Sequence, residues 1–403
     1  MTEALTRAFA DEWGRVVASL VRITGDWALA EDAAQDAFAA AATAWERDGV
    51  PASPGAWLTT AARNRALDRL RRGATERAAL PALAALREQQ GEDGVEPDDV
   101  PDERLRMIFT CCHPALALET RVALTLRTLC GLTVEEIADA FGVAEPAMAK
   151  RLVRARKKIR TARIPYRVPS GTVLPERLDG VLAVLYLLFT EGYAPSRGGA
   201  VVRPDLSGEA IRLTAVLARL LPGEPEAAAL LALERFQDSR RAARTAADGS
   251  PVPLDEQDRG AWDGASIEAG ESALAEAERL GGGGFFLVQA RIAAEHARSG
   301  AVDRRAVVRH YDDLVALTPS PHAALARAVA VGLAEGPEAG LAAIARLDGS
   351  AAALGAALPA AEADLLRRAR RPAAAAYRRA VEASTNEAER AFLTRRLEDQ
   401  ERT

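Results

Sequence analysis

No stretch of this chain sustains the strict apolar-polar alternation that a half-buried strand requires, whereas apolar residues recur three and four positions apart almost throughout. Alanine is abundant and β-branched residues are scattered, so propensity and period agree. The pattern predicts an all-α fold. Glycine and proline interrupt the period at Gly49–Gly55, Gly91–Pro101, Pro165–Pro175, Asp248–Pro253 and Gly281–Gly284. The expected organisation is a helical unit over 1–75, an acidic linker over 76–101, a second helical unit over 102–165, and a long helical remainder over 170–403.

A net charge of −5 argues against a general nucleic-acid binder, because neutralised phosphates supply that affinity. The average conceals a segregation. All three lysines fall within nine residues, and Lys150–Arg167 holds nine basic side chains and no acid. A second basic cluster runs from Arg63 to Arg72, while Glu88–Glu103 holds eight acids and no base. Segregated charge points to a directed electrostatic partner. The longest apolar run, Val181–Phe189, is less than half of a bilayer span, and acidic residues stand where a signal peptide carries a basic flank. The expectation is a cytoplasmic protein with no membrane partner. Cys111, Cys112 and Cys130 suit a reducing compartment better than a disulfide framework.

The clearest local signal is LTVEEIADAFGVAEPAMAKRLVRARKKI. Thr133 followed by Glu136 makes a capping box, Ile137, Ala138 and Phe141 form the buried stripe of a short helix, and Gly142 stops it. A second helix restarts near Ala144 with Pro146 in its first turn. Met148, Leu152, Ala155 and Ile159 turn inward, and Lys150, Arg151, Arg154, Lys157 and Lys158 occupy the opposite face. This is the pattern of a helix-turn-helix whose second helix enters the major groove. The plainer alternative is a helical hairpin with a solvated basic face.

In the first unit, Pro54 starts a helix over GAWLTTAARNRALDRLRR that places Thr60, Asn64, Asp68 and Arg71 on one face. Amide and arginine side chains read base edges and hold phosphates. Trp57, beside the irregular segment 46–55, either stacks on an unpaired base or fills the core. Upstream, DWALAEDAAQDAFAAAATAW sets Asp32, Gln35 and Asp36 on an exposed acidic stripe, with Phe38 facing inward or towards a partner.

In their order these pieces resemble the extracytoplasmic-function sigma factors of bacterial RNA polymerase, over residues 8–75 and 102–163. The resemblance implies that Asp32, Gln35, Asp36 and Phe38 bind RNA polymerase core at the clamp helices of its largest subunit. It implies that Trp57, Thr60, Asn64, Asp68 and Arg71 meet promoter DNA at the minus-ten element, the loop before Trp57 holding a flipped base. Ala147, Lys150, Arg151, Arg154, Lys157 and Lys158 correspond to the helix that reads the minus-thirty-five element. Two local departures are AFAAAATAW, where larger apolar residues are usual, and Ala144, where a serine or threonine cap is common. A larger one is length. FTCCHPALA, YLLFTEGYAPS and the long tail resemble the subgroup with a C-terminal tetratricopeptide-like extension, and Ala373, Tyr377 and Ala380 are spaced like the second helix of such a repeat. Such an extension implies a helical-repeat regulatory module and an unidentified protein regulator as a further partner.

Chemistry of other kinds is not expected. Cys111, Cys112, His113 and Cys130 invite a zinc reading, but adjacent cysteines on a helix diverge by about 100°, which is poor for one tetrahedral ion. No phosphate-binding loop is present, since Gly281–Gly284 lacks a following lysine, so neither metal, cofactor nor enzymatic activity is expected. The competing function is a free-standing helix-turn-helix regulator with a ligand- or protein-sensing helical tail. A simple repressor has no use for the tryptophan-flanked loop and second basic helix upstream. A repeat scaffold with incidental basic patches leaves the two separated basic clusters unexplained.

Overall fold

A computed structural model describes residues 3–73, 103–141, 143–169, 173–195, 201–298, 300–347 and 351–402. The acidic linker over 76–101 and the Gly142 stop lie outside the described residues. Among those described there is no strand, only an isolated bridge between Thr245 and Pro251, and no helix is long and apolar enough to cross a membrane. The all-α expectation holds. The chain divides into two units, residues 1–184 and 185–403.

The first unit opens with α1 (Glu3–Thr24), α2 (Trp27–Asp48) and α3 (Pro54–Gly73) packed on one another. Asp26 caps α2 by accepting from the backbone of Ala28 and Leu29 at 2.9 and 3.1 Å, satisfying two amides that have no partner within the helix. The alanines of α2 are the reason the bundle closes. Ala30, Ala33, Ala34, Ala37 and Ala41 are fully buried, and large rings from α1 and α2 fill the space they leave. Phe9, Trp13 and Phe38 cluster with ring centroids 5.0 to 5.9 Å apart.

Next come α4 (Glu103–Cys111), α5 (Leu118–Leu129), α6 (Val134–Phe141) and α7 (Glu145–Thr161). The capping box forms as expected: Thr133 Oγ1 accepts from Glu136 N at 3.1 Å and Glu136 Oε2 accepts from Thr133 N at 2.7 Å. Met148, Leu152, Ala155 and Ile159 are buried, so the inward face of α7 is the one read from spacing. The three cysteines are buried thiols, and burial pushes Cys112 up to about 12. His113 and Pro114 do not open the next helix, which begins at Leu118; His113 Nδ1 instead accepts from Ala115 N at 3.1 Å in a turn, and a side chain that holds local backbone competes with helix.

The second unit contains the end of α8 (Val173–Tyr193), then α9 (Pro204–Leu220), α10 (Pro225–Asp238), α11 (Gly264–Arg279), α12 (Phe285–Ala297), α13 (Arg304–Leu317), α14 (Pro321–Glu335), α15 (Pro337–Ile344), the short α16 (Ala351–Leu354), α17 (Ala357–Arg368), α18 (Ala374–Ala383) and α19 (Glu387–Arg402). Proline in the first turn starts α9, α10, α14 and α15, where its missing amide costs nothing. Neighbours in sequence pack on one another, α14 against α15 so closely that a Cβ on Gly340 would lie 2.7 Å from Gly332 Cα. Ala373, Tyr377 and Ala380 are buried together with Leu393. Glu234 is also fully buried, with Thr214 Oγ1 donating to it at 3.1 Å, and burial holds its carboxyl well above the usual carboxylate range.

Candidate nucleic-acid interface

Two faces of the first unit combine exposure with the residue types that contact nucleic acid. On α7, the buried apolar stripe fixes the rotation of the helix, and Ala147, Lys150, Arg154, Lys157 and Lys158 are left exposed on the other side. Arg151 differs from them. It is half-buried, 3.0 Å from Glu119 Oε2, with its guanidinium 5.8 Å from the centre of the Phe141 ring. Val153, 63% exposed, sits within this cationic face. Ala144 offers no side-chain cap, so the first turn of α7 relies on its backbone alone.

On α3, burial of Leu58, Ala62 and Ala66 turns Thr60, Asn64, Asp68 and Arg71 outward together, with Arg71 Nη1 3.7 Å from Asp68 Oδ1. Trp57 is half-buried and meets Trp45 edge to face at 5.8 Å. It thus packs against the bundle while its remaining surface stays open. On α2, Asp32 and Gln35 are exposed and Asp36 is half-buried. Phe38 is only 6% exposed, which settles its direction: it faces inward onto Phe9 and Trp13.

The acidic stripe has a cation that helical spacing alone did not reveal. Arg69 of α3 donates to Asp32 Oδ2 at 2.9 Å and to Asp36 Oδ2 at 2.7 Å. A second cluster was also missed. Glu31, 2% exposed, accepts from Arg127 Nε of α5 at 3.1 Å and from Arg156 Nη2 of α7 at 2.6 Å. Burial lifts the Glu31 carboxyl while the two guanidiniums pull it back. The signal for it was available. Trp27, Glu31, Ala34, Phe38, Ala41 and Trp45 repeat at four and three residues, so Glu31 stands in an apolar register and needs a buried cation.

Further contacts join the same parts of this unit. Trp13 Nε1 donates to Thr128 O at 3.1 Å, and Tyr166 Oη donates to Ala18 O at 2.9 Å. Gly131 has φ +74°, and a Cβ there would lie 2.6 Å from the Phe9 ring, so backbone conformation and close approach both require glycine.

Residues 9–76 match the family described as sigma-70 region 2, residues 106–159 match sigma-70 region 4, and residues 177–278 match a family of unknown function, DUF6596. An uncharacterized protein of Rhizobium meliloti is 40% identical over 335 residues, covering 81% of this chain and 79% of that protein. The ECF RNA polymerase sigma factor SigL of Mycobacterium tuberculosis is 30% identical over 166 residues, covering 39% of this chain and 88% of SigL. No solved structure gives a significant match. Helix-turn-helix geometry, the order of the two regions and these relatives agree: the chain belongs to the extracytoplasmic-function sigma factors, transcription initiation factors and not enzymes, in a form that continues into a long C-terminal helical extension.

Proposed function

We propose that this chain acts in the cytoplasm to direct RNA polymerase core to specific promoters, and that its C-terminal extension regulates that activity. In this reading residues 1–75 bind core and the minus-ten element, 76–101 link, 102–165 bind the minus-thirty-five element, and 170–403 form a tetratricopeptide-like module that receives a protein regulator. Asp32, Gln35 and Asp36 meet the clamp helices of the largest subunit, with Phe38 supporting them from beneath. Trp57, Thr60, Asn64, Asp68 and Arg71 take the minus-ten element. Ala147, Lys150, Arg154, Lys157 and Lys158 face the minus-thirty-five major groove, Arg151 joining them once it leaves Glu119. The observation that carries the reading is one chain holding two separate exposed nucleic-acid faces, on α3 and α7, in family order.

The same contacts give this reading a resting state. Elements named ten and thirty-five are about 25 base pairs apart, or roughly 85 Å of duplex at 3.4 Å per pair. The path from Asn64 to Lys150 through the Arg69–Asp32 and Glu31–Arg156 bonds is no longer than about 50 Å, given side-chain lengths and the helical rise. Both elements are therefore out of reach of the packed arrangement, and engagement requires α7 to leave α2. Run-off transcription with purified core and the full chain tests the reading. Replacing Lys150 and Arg154 together by glutamate should abolish promoter-dependent transcript, and wild-type output from that variant would refute the assignment of α7. Lys150→Ala alone should lower the salt dependence of promoter binding by a slope of about one if the ammonium holds a phosphate.

A further inference from the structure

A cavity of about 640 Å³ opens within the second unit, among α12, α13, α14, α17 and the turns between Leu254 and Ala261. That volume lies in the range that holds small organic ligands. Its walls are mainly aliphatic, with Val302, Val307, Val329 and Leu333 prominent. Aliphatic walls alone would bind any oily molecule. The polar groups narrow the choice.

The acids at the cavity are already neutralised. Asp255 and Asp364 both accept from Arg368 at 2.6 Å, and Arg367 adds a further bond to Asp364 at 2.6 Å. Two cations are not. Arg259 donates to the main-chain oxygens of His296 and Arg298, each at 2.7 Å, and Arg304 donates to Leu333 O at 2.8 Å. Neither guanidinium has a carboxylate partner among the described residues. Each retains N–H groups beyond those bonds, since a guanidinium carries five. The His296 ring and the Tyr311 hydroxyl also line the cavity, and neither is spent on a hydrogen bond among the described residues. Burial with the charges of Arg240 and Arg259 depresses His296 to about 4, so the imidazole is neutral near pH 7 and feels a positive surrounding potential. An aliphatic chamber with two uncompensated guanidiniums, a neutral imidazole and a phenol lacks one thing, a negative charge.

We propose that this cavity binds a small organic acid with an apolar body, its carboxylate held by Arg259 and Arg304 and its body lying against the valine and leucine wall. His296 and Tyr311 complete the polar end, one ring nitrogen and one hydroxyl being free to donate. Charge-assisted hydrogen bonds are the strong ones, so the carboxylate provides selectivity while the wall provides area. The site lies wholly within the second unit and is independent of how the first unit contacts promoter or polymerase.

The test uses the full chain and three ten-carbon probes that differ only in head group: decanoate, decylammonium and decanol. Isothermal titration should show saturable one-to-one binding of decanoate, weaker binding of decanol, and none of decylammonium. The double variant Arg259→Gln, Arg304→Gln should weaken decanoate by about tenfold or more, the scale of one charge-assisted bond, with Arg304→Lys retaining much of the affinity. Ala326→Trp, which fills the chamber from a half-buried position on α14, should abolish binding, and the thermal transition of each variant establishes that it is folded. In the wild-type chain, decanoate should raise the pH at which the His296 ring protons titrate by NMR. Absence of decanoate binding, equal binding of decylammonium, or affinity unchanged by Ala326→Trp in the folded variant would each overturn the proposal. Because no polymerase or DNA is present, such a failure leaves the promoter reading intact.

Discussion

Glu31 and Glu234 show how differently two buried carboxylates can be accommodated. Glu31 stands between two guanidiniums, whereas the direct partner of Glu234 is the neutral Thr214 hydroxyl, so burial favours the protonated form of Glu234 in the folded chain. Its folded titration lies above the unfolded value of 4.5. The folded state therefore binds the extra proton, and its contribution to stability is complete below the unfolded value and is lost as pH rises through the folded one. Glu234→Gln, neutral and of the same shape, removes that dependence. Thermal unfolding of the variant should match wild type near pH 4 and exceed it at pH 8; equal stability at both values would mean the carboxyl ionises in place. Glu31→Ala acts in the opposite sense, leaving Arg127 and Arg156 without their shared anion. Removing one partner of a buried pair costs about 3 to 5 kcal/mol, and the partial exposure of the two arginines reduces this to roughly 2 kcal/mol in denaturant unfolding.

At the level of elements, the helix-turn-helix is set by local chemistry, and its two caps are unequal. α6 has a reciprocal box, so Thr133→Ala should destabilise the first unit by about 1 kcal/mol. α7 begins at Ala144 with extended backbone (φ −66°, ψ 139°) and no side-chain acceptor. Ala144→Ser supplies that acceptor without strain and should stabilise by about 0.5 to 1 kcal/mol, read as a raised denaturation midpoint with unchanged slope. A change in slope instead would show that the substitution alters the extent of unfolding. The α2 helix depends on a different device. Its alanines bring α1 and α3 close, and the volume they give up is occupied by Trp13 and Phe38, so Ala34→Leu should overpack the bundle at a cost of about 1 to 3 kcal/mol.

Across the first unit, one acidic residue connects the helix proposed for core binding with the helix proposed for promoter reading. If polymerase competes for the α2 surface, it loosens the hold on α7 as it binds, and the two events are linked. Spin labels at the exposed positions Arg65 and Arg160 report this directly. The free chain should give a separation below about 50 Å, the limit set by the intervening bonds and the helical rise, and addition of core with promoter DNA should lengthen it. Glu31→Gln should broaden the distribution in the free chain. An unchanged distance on adding core would mean that binding leaves regions 2 and 4 as they stand here.

Helix content, the capping box, the inward stripe of α7 and the outward faces of α3 and α7 were legible in the chain because each depends on residues within a turn or two of one another. Period and cap chemistry are local quantities, and Thr133 with Glu136 or Met148 with Leu152 needs no distant partner to be recognised. The direction of Phe38, the bonds of Arg69 and the partners of Glu31 were decided only by packing. Arg127 and Arg156 lie 96 and 125 residues from Glu31 in sequence, and Arg69 reaches Asp32 across 37. A single helix periodicity states which face is buried but not which neighbour covers it. The chamber of Arg259, Arg304, His296 and Tyr311 likewise exists only once four helices and an irregular turn converge, since no local pattern joins those four side chains. Sequence alone determined the helices and the family they belong to; the third dimension decided which charges meet and which are left for a ligand, because pairing between helices is set by their packing rather than by their period.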